Sequence, residues 1–89
     1  MFAAVICTDK PGGLETRMAN REAHLAYIAE TGVVIQAGPF LDADGKMCGS
    51  LVILEVADME AARAWADGDP YARAGLFSDV RIEEWKKVV

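Results

Sequence analysis

The sequence predicts an α+β fold, an antiparallel sheet of four strands with both helices on one face. Three observations lead there. The chain has 89 residues, enough for one domain and too few for a second core, so residues 1–89 read as a single unit. Short β-prone runs and two stretches free of Gly and Pro follow one another in the order β-α-β-β-α-β. The first and third strands are apolar at both alternating sets of positions, the pattern of strands covered on both faces.

Each element has its own signal. Phe2 to Thr8 is a continuous apolar run ended by Asp9-Lys10-Pro11-Gly12-Gly13, a strand followed by a turn. Leu14 to Glu30 is rich in Ala, Glu, Arg, Met and Leu and stops at Thr31-Gly32, where glycine suits the left-handed residue after a helix end. Val33 to Phe40 is the second strand, and the polar turn from Leu41 to Gly49 joins it to the third, Ser50 to Val56. Asp58 suits the N-cap of a helix from Met59 to Asp67. Pro70 stops that helix, because the residue before a proline avoids the helical region, and a brief helical turn from Pro70 to Ala74 follows. Leu76 to Val88 supplies the last strand.

This order is the ferredoxin-like pattern, in which both helices cover one face of the sheet. The other face is then bare, although 53% of the residues are hydrophobic. A twofold-related copy that lays its own sheet on this face covers it with one chain, so the expected assembly is a homodimer through the sheet faces.

Charge narrows the partners. Fourteen acidic against nine basic residues leave a net charge of −5, which repels phosphate backbones and anionic headgroups, so neither nucleic acid nor a membrane is expected. The N-terminus lacks the positive start of a secretory signal. The longest uncharged run, Thr31 to Leu41, is eleven residues, against ~20 for a membrane span. A cytoplasmic protein is expected, with Cys7 and Cys48 as reduced thiols.

Two groups of residues could carry chemistry. On the long helix, at about 100° per residue, Leu14, Met18, Leu25 and Ala29 share an apolar sector, and Arg17, Arg21 and His24 line its border beside Ile28. Two cations and an imidazole at the edge of a core suit acid–base work on an anionic molecule, and a solvated helix margin also accounts for them. Asp69-Pro70-Tyr71 is the second group. Aspartate before proline is a common helix start, and the same carboxylate could face a histidine on the neighbouring helix and fix its tautomer. Gly38-Pro39 and Gly49-Ser50 flank the hairpin, where a ligand could approach the backbone and meet a hydroxyl. Asp42 and Asp44 fall short of a calcium loop, and there is no second histidine for a transition metal, so neither metal nor cofactor is expected.

Leu14-Glu15-Thr16-Arg17, Arg21-Glu22-Ala23-His24, Ala37-Gly38-Pro39, Gly49-Ser50 and Ala64-Trp65-Ala66-Asp67-Gly68-Asp69-Pro70-Tyr71 together resemble the YCII-related (YciI-like) family over nearly the whole chain. The resemblance implies a dimeric ferredoxin-like α+β barrel, related to the muconolactone isomerase type, with a pocket holding a His-Asp pair as its proposed active site. His24 and Asp69 match that pair. One relative removes chloride from a chlorinated hydroxyhydroquinone, which implies that the scaffold can host an enzyme.

Two functions fit these readings. In the first, the chain is a small dimeric enzyme in which His24 is a general acid or base oriented by Asp69. Arg17 or Arg21 holds an anionic or phenolate group, and Gly38, Pro39, Ser50 and Tyr71 contribute to binding. The reaction is then an elimination or isomerisation of a small, cyclic or aromatic molecule. In the second, the same pocket captures a metabolite without turnover, in a binding or accessory dimerisation module. Asp69 standing within hydrogen-bond reach of His24 in a concave pocket separates the two.

Overall fold

A computed structural model describes residues 1–89. In chain order it comprises β1 (Phe2–Asp9), α1 (Leu14–Thr31), β2 (Val34–Leu41), β3 (Met47–Glu55), α2 (Met59–Gly68), α3 (Pro70–Arg73) and β4 (Phe77–Trp85). The four strands form one antiparallel sheet in the order β2-β3-β1-β4, with the helices on one face, as the ferredoxin-like pattern requires. No helix is long and apolar enough to cross a membrane.

The hairpin turn is tighter than the polar stretch suggests. Asp42 closes it by accepting hydrogen bonds from the backbone of Asp44 at 2.9 Å and Lys46 at 3.0 Å, while Gly45 takes a left-handed φ of 79°. Strand pairing therefore begins at Met47, opposite Leu41, and not at Ser50. Gly49 belongs to the ladder and needs its missing side chain there, since a Cβ would run into the Cys7 carbonyl of β1. Pro39 is accommodated because β2 is an edge strand.

The core lies between β1, β3 and α2. Inward positions Ala3, Val5 and Cys7 pair across β1 and β3 with Leu54, Val52 and Ser50, and Ala62, Trp65 and Ala66 of α2 close over them. The outward set, Ala4, Ile6, Leu51 and Ile53, lines a groove of about 480 Å³ on the helix-free face together with Phe40 and Trp85. Val52 and Leu54 thus serve the helices, and Leu51 and Ile53 serve the other side.

Helix α1 departs from the amphipathic expectation. Its apolar sector does not face the core: Met18 is 54% exposed and Leu25 46%, whereas Arg17 and His24 are only 2% and 7% exposed. The reason is that both polar side chains find buried partners outside the helix, and α1 packs against α3 while standing off the sheet. A second lock fixes α1 against α2. The Tyr27 hydroxyl donates to the Trp65 carbonyl at 2.8 Å, and the Trp65 indole donates to Thr31 Oγ1 at 2.9 Å. Gly68 lies directly under Tyr27, where a Cβ would come within 2.5 Å of its hydroxyl. The next residue is Asp69, so this close approach brings the end of α2 up to the middle of α1.

Candidate functional site

Because α1 stands off the sheet, a cavity of about 160 Å³ opens between them. Arg17, Arg21, His24, Leu25 and Ile28 of α1 form one wall, Ala37, Gly38, Pro39, Met47, Ser50 and Val52 of the hairpin form the floor, and Tyr71 of α3 closes one end. Of the site residues read from the sequence, Arg17, Arg21, His24, Gly38, Pro39, Ser50 and Tyr71 border this cavity and Asp69 stands directly behind His24, whereas Gly49 does not line it. A cavity of ~150 Å³ is the size that accommodates one benzene ring.

The carboxylate of Asp69 does two things with one oxygen. Oδ1 accepts the backbone N–H of Tyr71 at 3.0 Å, capping α3, and lies 2.8 Å from His24 Nδ1. A carboxylate only accepts, so Nδ1 carries the proton, and Nε2 is the nitrogen left to face the cavity. Both side chains are buried, which limits screening by water. The Tyr71 ring stacks on the His24 imidazole with centroids 4.0 Å apart and planes 14° from parallel, holding the imidazole plane.

The two arginines differ in kind. Arg17 is locked: Nε and Nη2 donate to the two oxygens of Asp9 at 2.8 and 2.9 Å, and Nη2 also donates to Ser50 Oγ at 2.8 Å. Its guanidinium carbon lies 4.7 Å from the centre of the Tyr71 ring. Burial works against its charge, and the hydrogen-bonded Asp9 carboxylate more than offsets this, so its pKa is raised. Arg21 is exposed at the rim of the cavity and joins no ion pair. Burial likewise raises the Tyr71 phenol, with Arg17 pulling the other way, and raises Tyr27, with Asp69 adding to the effect.

Asp9 was not singled out in the sequence, where it reads as the first residue of a turn. Its signal is present nonetheless, since it stands in phase with the inward set Ala3, Val5 and Cys7 and so continues the buried side of β1. Ile28 is placed beside His24 by its spacing of one helical turn, whereas the lining from Leu25 and Met47 has no comparable signal. Gly38 needs neither a positive φ nor relief from a clash, for a Cβ there would meet nothing within 4 Å. It borders both the cavity and the groove on the opposite face.

The YCII-related domain matches residues 1–86. The chain belongs to the YCII-related family. Within it, the chain is 38% identical to protein YciI of Escherichia coli O6:H1 over an alignment of 97 positions that covers 99% of each protein. It is 35% identical, with the same coverage, to an uncharacterized protein of Haemophilus influenzae. Among solved structures, it is similar to the 5-chloro-2-hydroxyhydroquinone dehydrochlorinase TftG of Burkholderia phenoliruptrix in complex with 2,5-dihydroxybenzoquinone. That similarity has a TM-score of 0.89 and 34% identity, and covers 97% of this chain and 94% of that one. An antibiotic biosynthesis monooxygenase shares the ferredoxin-like fold alone, with a TM-score of 0.61 at 12% identity.

Two outcomes follow from this geometry. Asp9→Ala leaves Arg17 charged, buried and unpaired, and should lower the unfolding free energy by about 3–5 kcal/mol in urea, with much of the loss recovered in Asp9→Ala/Arg17→Met. The Cys7 thiol is pushed up to about 12, chiefly by burial and then by Asp69. It therefore stays protonated in the folded chain while an unfolded thiol ionises near 9.0. Its contribution to stability is complete below that value and is lost as pH rises towards about 12, so Cys7→Ala should flatten the alkaline decline. A thiol reagent at neutral pH should label the half-exposed Cys48 in the folded chain, and Cys7 only after unfolding.

Proposed function

We propose that the protein is a small homodimeric enzyme in which His24 acts as general base and acid on a small oxygenated ring compound, oriented by Asp69. The observation that carries this reading is the 2.8 Å contact between His24 Nδ1 and Asp69 Oδ1 behind a cavity wide enough for one ring. With its proton held on Nδ1, the imidazole offers Nε2 to the cavity, and the buried carboxylate stabilises the imidazolium formed when Nε2 takes a proton. Arg21 is the cation available to meet an anionic oxygen, since Arg17 is committed to Asp9 and Ser50. Ala37, Gly38 and Pro39 line the floor on which the ring would lie.

The reaction class is proton transfer leading to elimination or isomerisation. It needs no covalent intermediate: Ser50 is bound to an arginine and not to a base, and Cys7 is a protonated, buried thiol. The likeness to a dehydrochlorinase with a dihydroxybenzoquinone bound supports this class, because loss of hydrogen chloride from a hydroxylated ring is an elimination set off by proton removal. One positioned acid–base group supplies ~10² to 10⁴ in rate, which suits such activated carbon acids.

The second half of the proposal is the dimer. Leu51 and Ile53, with Ala4, Ile6, Phe40 and Trp85, form the helix-free apolar groove, and a second copy of this face would cover it. Ala37, Gly38 and Pro39 border both groove and cavity, so the partner would stand next to the site.

The test is turnover of a panel of small oxygenated rings, including 5-chloro-2-hydroxyhydroquinone with chloride release as the readout. His24→Gln should lower the rate ~10² to 10⁴-fold. Asp69→Asn should lower it by a comparable factor while keeping the fold, because asparagine caps a helix about as well as aspartate. Turnover that survives His24→Gln contradicts the assignment. Sedimentation should show a dimer for the wild type and a monomer for Leu51→Glu, and a wild-type particle of 9.6 kDa contradicts the sheet-face dimer.

A further inference from the structure

Tyr71 does more than its position as a wall requires. Its ring is 2% exposed and held on three sides of its chemistry: stacked on His24, approached by the Arg17 guanidinium, and met edge-on by Phe77 at 6.2 Å between centroids. Its backbone N–H is bound to the same Asp69 oxygen that faces His24. The hydroxyl is treated differently. It makes no hydrogen bond within the protein, and the nearby Arg17 guanidinium can only donate, so the phenolic proton has no acceptor. Every fully enclosed side-chain oxygen and nitrogen of the protein has a hydrogen-bond partner, so this hydroxyl opens to the cavity that Tyr71 lines. A buried ring fixed this firmly, with its only donor left unused, is a group prepared for a bound molecule.

We infer that Tyr71 is the proton donor that works beside His24, and that the substrate is therefore a ring carbonyl compound with an acidic hydrogen on the carbon next to the carbonyl. The inference rests on the general-base reading of His24. His24 Nε2 takes the proton from that carbon, and the C–H electron pair becomes the new C=C bond. The carbonyl π pair moves onto oxygen, which takes the proton of the Tyr71 hydroxyl. The product of this step is an enol, an imidazolium paired with Asp69, and a tyrosinate beside Arg17. In an isomerisation, the enol oxygen returns its proton to Tyr71 as His24 protonates a different carbon. In an elimination, the oxygen returns its proton to Tyr71 as the leaving group departs with its bonding pair. Burial keeps the phenol protonated before the step, and the locked cation meets the charge that develops during it.

Tyr71→Phe tests this, because it keeps the stacked ring and removes only the unpartnered hydroxyl. The probe is 2,5-dihydroxybenzoquinone, whose visible absorption reports binding directly. Tyr71→Phe should bind it ~10 to 100-fold more weakly than the wild type, the loss expected for one hydrogen bond to a charged or strongly polarised oxygen. Its melting temperature should stay close to that of the wild type, since the hydroxyl donates to no group in the empty site. In the ring panel, kcat should fall in Tyr71→Phe for substrates with a ring carbonyl. Unchanged affinity and unchanged kcat overturn the role of Tyr71, and if His24→Gln is still inactive the base reading stands without it. A drop in melting temperature with unchanged affinity assigns the hydroxyl to structure and also overturns it. If the wild type takes up none of the probe and turns over none of the panel, both readings fall together.

Discussion

One oxygen of Asp69 joins the two halves of the site. It starts α3 by accepting the Tyr71 N–H and reaches across to His24 on α1, while the Asp69 backbone N–H closes α2 on the Ala66 carbonyl. Capping a helix needs only a well-placed acceptor, whereas orienting and supporting an imidazole is best done by one that is charged, dry and immobile, and the cap itself supplies the immobility. Moving this carboxylate by an ångström would release the histidine and unfasten the tyrosine stacked on it. The close approach of Gly68 to Tyr27 therefore matters well beyond its own contact, because it sets the depth at which Asp69 arrives.

Burying polar groups on α1 has a cost that the fold meets with one ion pair and one carboxylate–imidazole hydrogen bond instead of apolar packing. A helix normally turns its apolar stripe inward, and here Met18 and Leu25 are left half in water while Arg17 and His24 go inside. Each buried group is compensated by a carboxylate from another element, Asp9 from β1 and Asp69 from the start of α3. Such pairs contribute little net stability against well-packed hydrophobes. What they provide is position: α1 can stand away from the sheet without collapsing onto it, and the space beneath becomes the cavity. The small residues of the hairpin floor, Ala37, Gly38 and Ser50, keep that space from being filled from below.

Much of this was legible in the sequence. The order of elements followed from punctuation by Gly32, Asp58 and Pro70, and the observed helices begin and end within a residue or two of those signals. The residues named from the chain converge on one cavity, since a histidine and two arginines at helical spacing must share a face wherever that face points. The direction was the illegible part. Periodicity ranks sectors by hydrophobicity, and it sent Leu25 inward and Arg17 to the margin because the partner of Arg17 lies on another element. Asp9 was hidden for the same reason: a carboxylate before Lys10-Pro11-Gly12 reads as a turn until the guanidinium that neutralises it is known. The start of β3 was misplaced by three residues, at Ser50 and not Met47, because the Asp42 side chain does the work of several turn residues.

The account depends on His24 being held as a base with its proton on Nδ1. Long-range proton–nitrogen NMR of the only histidine reads this directly, because the two ring nitrogens have well-separated shifts in the neutral imidazole. The account predicts the Nδ1–H tautomer in the wild type, and a return in Asp69→Ala towards the Nε2–H form that free histidine favours. A wild-type ring already in the Nε2–H form, or one unchanged by Asp69→Ala, would contradict it.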